Sequence, residues 1–409
     1  MTFPVIALQA MVSASAMDGA TLDTDRHRIG RAGLAVVRST LVTASGQEVD
    51  CVDILSQPAL NGGLLEIPPR FSHTVPAHDE ALPGNTADAE ELYEATADGG
   101  FVPVAGCASG TVPIPRMSET RRAEYRAASS PKRYGSTASH QYALAWRNVT
   151  NWGAQATINL WAPNAEVASD YNLGMVQVSV PNPKCSYYGS CEPRSTDYTL
   201  EAGVQVFPDL YGDTQPHLFV HANHGLIQDS CFNNTCNNGF VQVHPAIFPG
   251  IALGPVSAPD GQQGEVTVEL YKDRDEGAWW LAFNGQLIGY YPRDPNFADS
   301  YLRYHASRIA FGGMVRDAAY SGSHSTTDMG SGRHWSEGYG RAAYMRLMYY
   351  TAFNGTLIQK NDAFYWPWDR NTYVTDNQCY SVGNINFDSG GWRSFLYFGG
   401  PGFDSTNCR

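Results

Sequence analysis

A mainly β protein built around an antiparallel β-sandwich is what the sequence predicts, and three observations predict it. Short apolar–polar alternating runs recur between turn signals: QYALAWRNV, QATINLWAP, MVQVSVP, YTLEAGVQVFP, HLFVHAN, GFVQVHP, GEVTVELYKD, AWWLAFNGQLIGYYP, RIAFGGMVR and RAAYMRLMYY. The 40 glycines and 24 prolines supply the turns between them. Aromatic residues make up 12% of the chain against only 16% charged, a balance that favours pleated, half-buried surfaces over solvated helices.

The individual stretches follow in order. Residues 1–16, MTFPVIALQAMVSASA, form an apolar run ending in Ala14-Ser15-Ala16, the small-residue pattern of a signal-peptidase site. The run lacks a basic start, so an ordinary N-terminus remains the competing reading. From about residue 20 to 43 the sequence suggests a helix capped by Asp23 or Thr24. EVDCVDIL, a Pro/Gly/acid-rich passage to about residue 100, and GFVPVAGCASGTVPIPR complete a small α+β unit over residues 17–130. Six cations between Arg116 and Arg133 (Arg116, Arg121, Arg122, Arg126, Lys132, Arg133) mark a basic linker at its end. The β-sandwich domain occupies residues 131–409. A chain of 409 residues accommodates these two domains.

Charge and hydropathy narrow the partners. Lys+Arg 27 against Asp+Glu 40 leaves 27 − 40 = −13, the wrong sign for neutralising nucleic-acid phosphates. No long uninterrupted apolar stretch predicts a membrane span. The eight cysteines group along the chain as Cys51 with Cys107, Cys185 with Cys191, Cys231 with Cys236 and Cys379 with Cys408, an even number that suits an oxidising compartment. Structural zinc competes, but no C-x-x-C knuckle occurs. Sequons at Asn148, Asn233 and Asn354 agree with secretion.

The chemistry-bearing candidates are carboxylates. Neither G-x-S-x-G nor H-E-x-x-H nor a phosphate-binding Gly-Lys loop occurs, and the single D-S-G at Asp388 reads as a turn. His217, His221, His224 and His244 invite a metal test, yet their irregular spacing reads as ordinary cleft or surface histidines, so no metal or cofactor is expected. In YTLEAGVQVFP, period-two alternation sends Leu200, Ala202, Val204 and Val206 to one face and Glu201, Gly203 and Gln205 to the other. An acid, a glycine and an amide together suit a ligand-accepting face, though a solvated outer face reads equally from that pattern. Glu337 lies in the glycine-dense HSTTDMGSGRHWSEGYGRAAY, where backbone can approach a ligand closely.

CVDILSQPAL, GTVPIPR, YTLEAGVQVFPDLYGD, the Cys231/Cys236 pair before GFVQ, WWLAFNGQLIGYYP, HSTTDMGSGRHWSEGYGRAAY and CYSVGNINFDSGGWRSFLYFGGPG together resemble the neprosin family of secreted glutamic peptidases that cleave after proline. The resemblance runs over most of the chain from about residue 40. It implies a propeptide domain, with Cys51–Cys107 as its disulfide, ahead of a β-sandwich catalytic domain. It also implies a two-glutamate dyad at Glu201 and Glu337. Val204 stands where plant members carry a larger aromatic, and the stretch before Cys51 matches poorly.

Two carboxyls converging on one water share a proton, because the second negative charge is repelled by the first. Such a dyad predicts acid-side peptidase activity without an acyl-enzyme. Gln205 is the candidate oxyanion donor. Tyr339 and Trp280, with Trp279 and Tyr290, are candidates to line a proline pocket, although most aromatics in such a sandwich are core. The expected partners are a proline-containing peptide or protein and the chain's own propeptide, with self-cleavage after Pro131. A carboxylate-pair glycosidase and a non-catalytic carbohydrate-binding sandwich are the rival readings.

Overall fold

The computed structural model describes residues 35–60, 93–95, 101–116, 139–180, 198–224, 231–234, 239–275, 277–293, 301–318, 325–358, 372–403 and 408. In the N-terminal unit, β1 (Val37–Val42), β2 (Glu48–Asp53) and β5 (Thr111–Pro115) make a three-stranded antiparallel sheet in the order β1-β2-β5, while β3 (Tyr93–Ala95) pairs with β4 (Phe101–Pro103). The helix expected from about residue 20 to 43 is corrected at its described end. Val37, Thr40 and Val42 are β-branched and stiff at χ1, and the chain there is strand; residues 20–34 lie outside the described ones. The unit's described helical content is two 3-10 turns, Ile54–Ser56 and Pro58–Leu60. Cys51 and Cys107 are disulfide-bonded, closing a separation of 56 residues. The basic linker and Pro131 lie outside the described residues.

The rest of the chain folds around β6 (Ser139–Leu160), a single 22-residue strand where the sequence suggested two. Its first half pairs with β15 (Ala306–Asp317) and β18 (Thr372–Val374); its second half pairs with β12 (Gly264–Lys272) and β16 (Ala343–Ala352). One strand therefore serves two sheets. Gly153 permits the passage between them: its φ is +147°, and a Cβ there would meet the Leu270 carbonyl oxygen at 2.3 Å.

The first sheet continues from β15 through β7 (Tyr171–Val180), β8 (Tyr198–Val206), β9 (His217–His224) and β10 (Cys231–Phe232). A four-residue α-helix, α1 (Pro208–Tyr211), follows β8. The second sheet runs from β12 to β13 (Trp279–Phe283), β14 (Gln286–Tyr291) and β11 (Val241–Gln242) on one side. On the other side it runs from β16 to β17 (Leu357–Ile358) and to β21 (Arg393–Gly399), which carries β19 (Ser381–Val382) and β20 (Asn386–Asp388). The expected antiparallel, sandwich-like β architecture is what the chain adopts.

Leu200, Ala202 and Val204 of β8 and Val176 and Val178 of β7 belong to the main buried cluster with Ile158, Met345 and Phe398 of the second sheet. A Cβ at Gly174 would touch all three of those second-sheet side chains. The core thus lies between the sheets, and alternate residues of β7 and β8 point away from it. The outward residues build a separate buried cluster from Tyr171, Leu173, Met175, Phe207, Phe219 and Phe232.

The N-terminal unit docks on the outward side of the second sheet. Ala59 and Leu60 are buried with Val241, Tyr271, Trp280 and Tyr290. Gln57 donates from Nε2 to the Gln242 carbonyl and accepts from the Gln242 amide at Oε1, at 2.9 and 2.8 Å. The Cys107 amide donates to the Pro245 carbonyl. A second disulfide joins Cys379 to Cys408; the Cys185–Cys191 and Cys231–Cys236 pairings lie outside the described residues.

Candidate active site

β8 carries the site because its side chains alternate. With Leu200 and Ala202 committed to the core, Glu201 must leave from the opposite face. It stands in register between Gln177 of β7 and His221 of β9, and the row extends beyond Gln177 to Ala310 of β15 and Trp146 of β6. Gly203, the next outward residue, is fixed by contact: a Cβ there would lie 2.0 Å from the Gly174 carbonyl oxygen.

Glu201 is only 7% exposed, and three groups satisfy its carboxylate. Gln177 Nε2 donates to Oε1 at 2.7 Å, Thr199 Oγ1 donates to the same oxygen at 3.3 Å, and His221 Nδ1 lies 2.9 Å from Oε2. Burial alone would push this carboxyl up. The hydrogen bond and charge of His221, followed by the Gln177 and Thr199 donors, outweigh it and hold Glu201 below the ordinary glutamate value. His221 is itself clamped, with its ring stacked 4.0 Å from that of Phe232. Glu201 is therefore held at both oxygens, with its pKa below the ordinary glutamate value.

The structure does not bring the expected dyad together. Glu337 ends an exposed 3-10 turn, Trp335–Glu337, that leads into β16 of the second sheet. Its charge acts on Arg341, which pairs with Asp260. Two residues on, Tyr339 packs its ring against Tyr344 and Trp392. Tyr344 points outward from the second sheet, since its neighbours Ala343 and Met345 are both in the core. Glu201 and Glu337 thus belong to opposite layers of the sandwich. Among the described residues, Glu201 is the one carboxylate on the outward strand face of the first sheet.

The other candidates are redistributed too. Gln205 shares the face of Glu201 but stands four residues away, about 13 Å along an extended strand. That is too far to serve the same tetrahedral centre. It is fully buried, accepts from the Tyr211 hydroxyl at Oε1, and its Nε2 has no protein partner. Trp280 is buried against Tyr290 beneath Leu60, and Tyr339 is 60% exposed, so neither lies beside Glu201. His217 bonds Asp213 and the Gly250 carbonyl, and His244 bonds Gln286. Asn233 is buried, its amide donating to the Tyr211 hydroxyl and accepting from the Val220 amide, which removes it as a glycan acceptor.

Sequence reasoning missed Gln177, Thr199 and His221 as partners of Glu201. Period-two alternation put Thr199 on the right face, but the cross-strand register that selects Gln177 and His221 is not written locally.

The site is a buried, triply bonded carboxylate on the outward face of one sheet of a β-sandwich. The Neprosin family model matches residues 185–401, more than half of the chain, and the chain belongs to that family of peptidases. Among solved structures it is similar to Scytalido-glutamic peptidase with a peptide-based transition state analog, at 9% identity, over 64% of this chain and 97% of that one, TM-score 0.30. SCP-B, a member of the Eqolisin family of peptidases in complex with the tripeptide Ala-Ile-His, is similar at 9% identity with the same coverages and TM-score 0.29. A Ruminococcus gnavus sialidase CBM40 bound to sialyllactose is similar at 10% identity, over 44% of this chain and 92% of that one, TM-score 0.22.

Proposed function

We propose that the chain is a secreted endopeptidase that hydrolyses peptide bonds, C-terminal to proline, in the acid range, with Glu201 as its water-activating carboxylate. The observation that carries this reading is the buried Glu201 held ionised by three donors, in a chain of the Neprosin family.

The mechanism needs one carboxylate. Glu201 takes a proton as water attacks the scissile carbonyl carbon, so the C–O bond forms and the carbonyl becomes an oxyanion. The Gln177 amide, beside Glu201, is the donor nearest to where that charge develops. As the C–N bond breaks, the protonated Glu201 returns its proton to the leaving amine, and no acyl-enzyme forms. Because its pKa is lowered, Glu201 stays ionised well into the acid range; activity falls where pH drops through that lowered value. The disulfides suit export, with residues 1–16 as leader, and the docked N-terminal unit suits a propeptide released after Pro131.

Digestion of a proteome-derived peptide library at acid pH, with cleavage sites read by mass spectrometry, tests the reading. Cleavage after proline by the wild type, lost in Glu201→Gln, supports it; cleavage that survives in Glu201→Gln overturns it. A second reading, a peptide- or carbohydrate-binding sandwich without turnover, is favoured by the single carboxylate on this face, and ligand binding without hydrolysis at any pH would establish it. The same feature counts against a glycosidase, which needs two carboxyls a few ångströms apart.

A further inference from the structure

The fold treats the sequons at Asn148, Asn233 and Asn354 differently. Asn233 is buried, and both ends of its carboxamide are bonded. Asn148 is exposed, but it lies within β6 on the outward side of the first sheet, two residues from Trp146, and its Oδ1 accepts from Arg308 Nε at 3.0 Å. Asn354 stands at the tip of the β16–β17 hairpin of the second sheet, in the loop Phe353-Asn354-Gly355. The Gly355 amide donates to the Ala352 carbonyl and the Ala352 amide to the Thr356 carbonyl, both at 2.8 Å. Gly355, with a φ of +90°, closes the turn as glycine does in a three-residue hairpin loop. Arg274 braces the tip: its Nη2 donates to the Phe353 carbonyl at 3.1 Å, and its guanidinium lies 4.1 Å from the Trp152 ring, which Phe353 meets edge-on. These contacts leave Asn354, Gly355 and Thr356 exposed. The Thr356 amide donates to Asn354 Oδ1 at 3.0 Å, so the carboxamide is oriented through its oxygen while Nδ2 makes no hydrogen bond.

We propose that Asn354 is an N-glycosylation site, its Nδ2 carrying an oligosaccharide added as the chain enters a secretory pathway. This goes beyond the catalytic reading and rests only on its secreted part. The donor is a lipid-diphosphate-linked oligosaccharide. The C1–Nδ2 bond forms as the C1–O bond to the diphosphate breaks, the lipid diphosphate leaves, and Nδ2 gives up one proton to a base of the transferase. The Thr356 hydroxyl meets the requirement at the third sequon position. Because transfer precedes or accompanies folding, the folded chain must house the product. At Asn354 it does, since the turn is braced through the Phe353 carbonyl, the Trp152 ring and Asn354 Oδ1, none of which a sugar on Nδ2 displaces. At Asn233 the same group would break the contact with the Tyr211 hydroxyl; at Asn148 it would stand on the face that carries Glu201. A polar glycan at the tip also covers Phe353, an aromatic 60% exposed.

The test is expression of the full chain in a eukaryotic secretory host, once with its own N-terminus and once behind the leader of an unrelated secreted protein. Peptide N-glycanase treatment in heavy-oxygen water converts a glycosylated asparagine to labelled aspartate, which peptide mapping by mass spectrometry locates. We expect the label at position 354 and the loss of one glycan from the intact mass in Asn354→Gln and in Thr356→Ala. Thr356→Ser, which keeps the hydroxyl, should retain the glycan. An unlabelled Asn354 in the chain carried by the foreign leader overturns the proposal, whether or not Asn148 or Asn233 is labelled. So does a label at position 354 that survives in Thr356→Ala. If the chain with its own N-terminus stays inside the cell without a glycan, the secreted reading fails, while the leader-borne chain still decides the fate of Asn354.

Discussion

At Glu201 the decisive contest is between burial and donors. A carboxylate 7% exposed with one partner removed keeps its desolvation cost and loses its compensation. Gln177→Leu should therefore raise the Glu201 pKa and reduce kcat/KM by about 10² to 10³, the usual cost of one lost oxyanion-type donor, with KM changed little. Glu337→Gln, in an exposed turn of the other layer, should leave kcat/KM unaltered; loss of activity in that variant would return Glu337 to the reaction. The sign of the pH effect follows from the direction of the shift. A glutamate lowered in the folded state contributes stability that is fully present above its ordinary value near 4.5 and is lost as pH falls through the lowered one. Glu201→Gln should accordingly narrow the gap in thermal stability between acid and neutral pH by lowering Tm at neutral pH while leaving it nearly unchanged at the acid end, as calorimetry would show.

Among the elements, β12 supplies the opposite case. Glu269 is 5% exposed, its Oε2 has no protein partner, and burial pushes its carboxyl up to about 7. A raised carboxyl costs stability once pH exceeds the ordinary value near 4.5, and the cost grows until pH passes the folded pKa. A carboxyl raised from 4.5 to about 7 corresponds to a cost of about 3 kcal/mol at most. Glu269→Gln should raise Tm at pH 8 and leave it nearly unchanged at pH 4, measured on the intact chain. Elements also mark how far the sequence could be read. The alternation in YTLEAGVQV separated the core face from the outward face of β8 correctly, because period two is a local property of extended chain. The pairing of Glu337 with Glu201 rests on motif resemblance, and a motif does not name a spatial neighbour; the Glu337 turn leads into β16 of the second sheet. Which strand lies beside Glu201, and in what register, depends on residues 20 to 24 positions away in sequence, Gln177 and His221, and on the crossover by which β15 comes to pair with β7. The N-terminal strand β1 was misread as helix because Ala- and Arg-rich sequence precedes it, while its own β-branched residues pair with β2.

Across the whole molecule, the N-terminal unit carries one internal lock and meets the sandwich through Val49 in the main core cluster, Leu60 against the second sheet, the Cys107–Pro245 hydrogen bond and a side-chain latch. The lock is Cys51–Cys107, which by loop-closure arithmetic for a separation of 56 residues limits the unfolded unit by about 4 kcal/mol. The latch is the reciprocal Gln57–Gln242 pair, with Leu60 wholly buried beside Trp280 and Tyr290. Leu60→Ala removes apolar contact at a site whose partners belong to the second sheet, so its cost, about 2 to 5 kcal/mol for a buried leucine, falls on docking more than on the sandwich itself. Amide hydrogen exchange should therefore accelerate at Val241 and Gln242, whose edge of the sheet the unit covers, while β7 and β8 keep wild-type protection. Equal acceleration in β8 would mean that the two units unfold as one, and that the N-terminal unit is part of the enzyme's core instead of a removable cover.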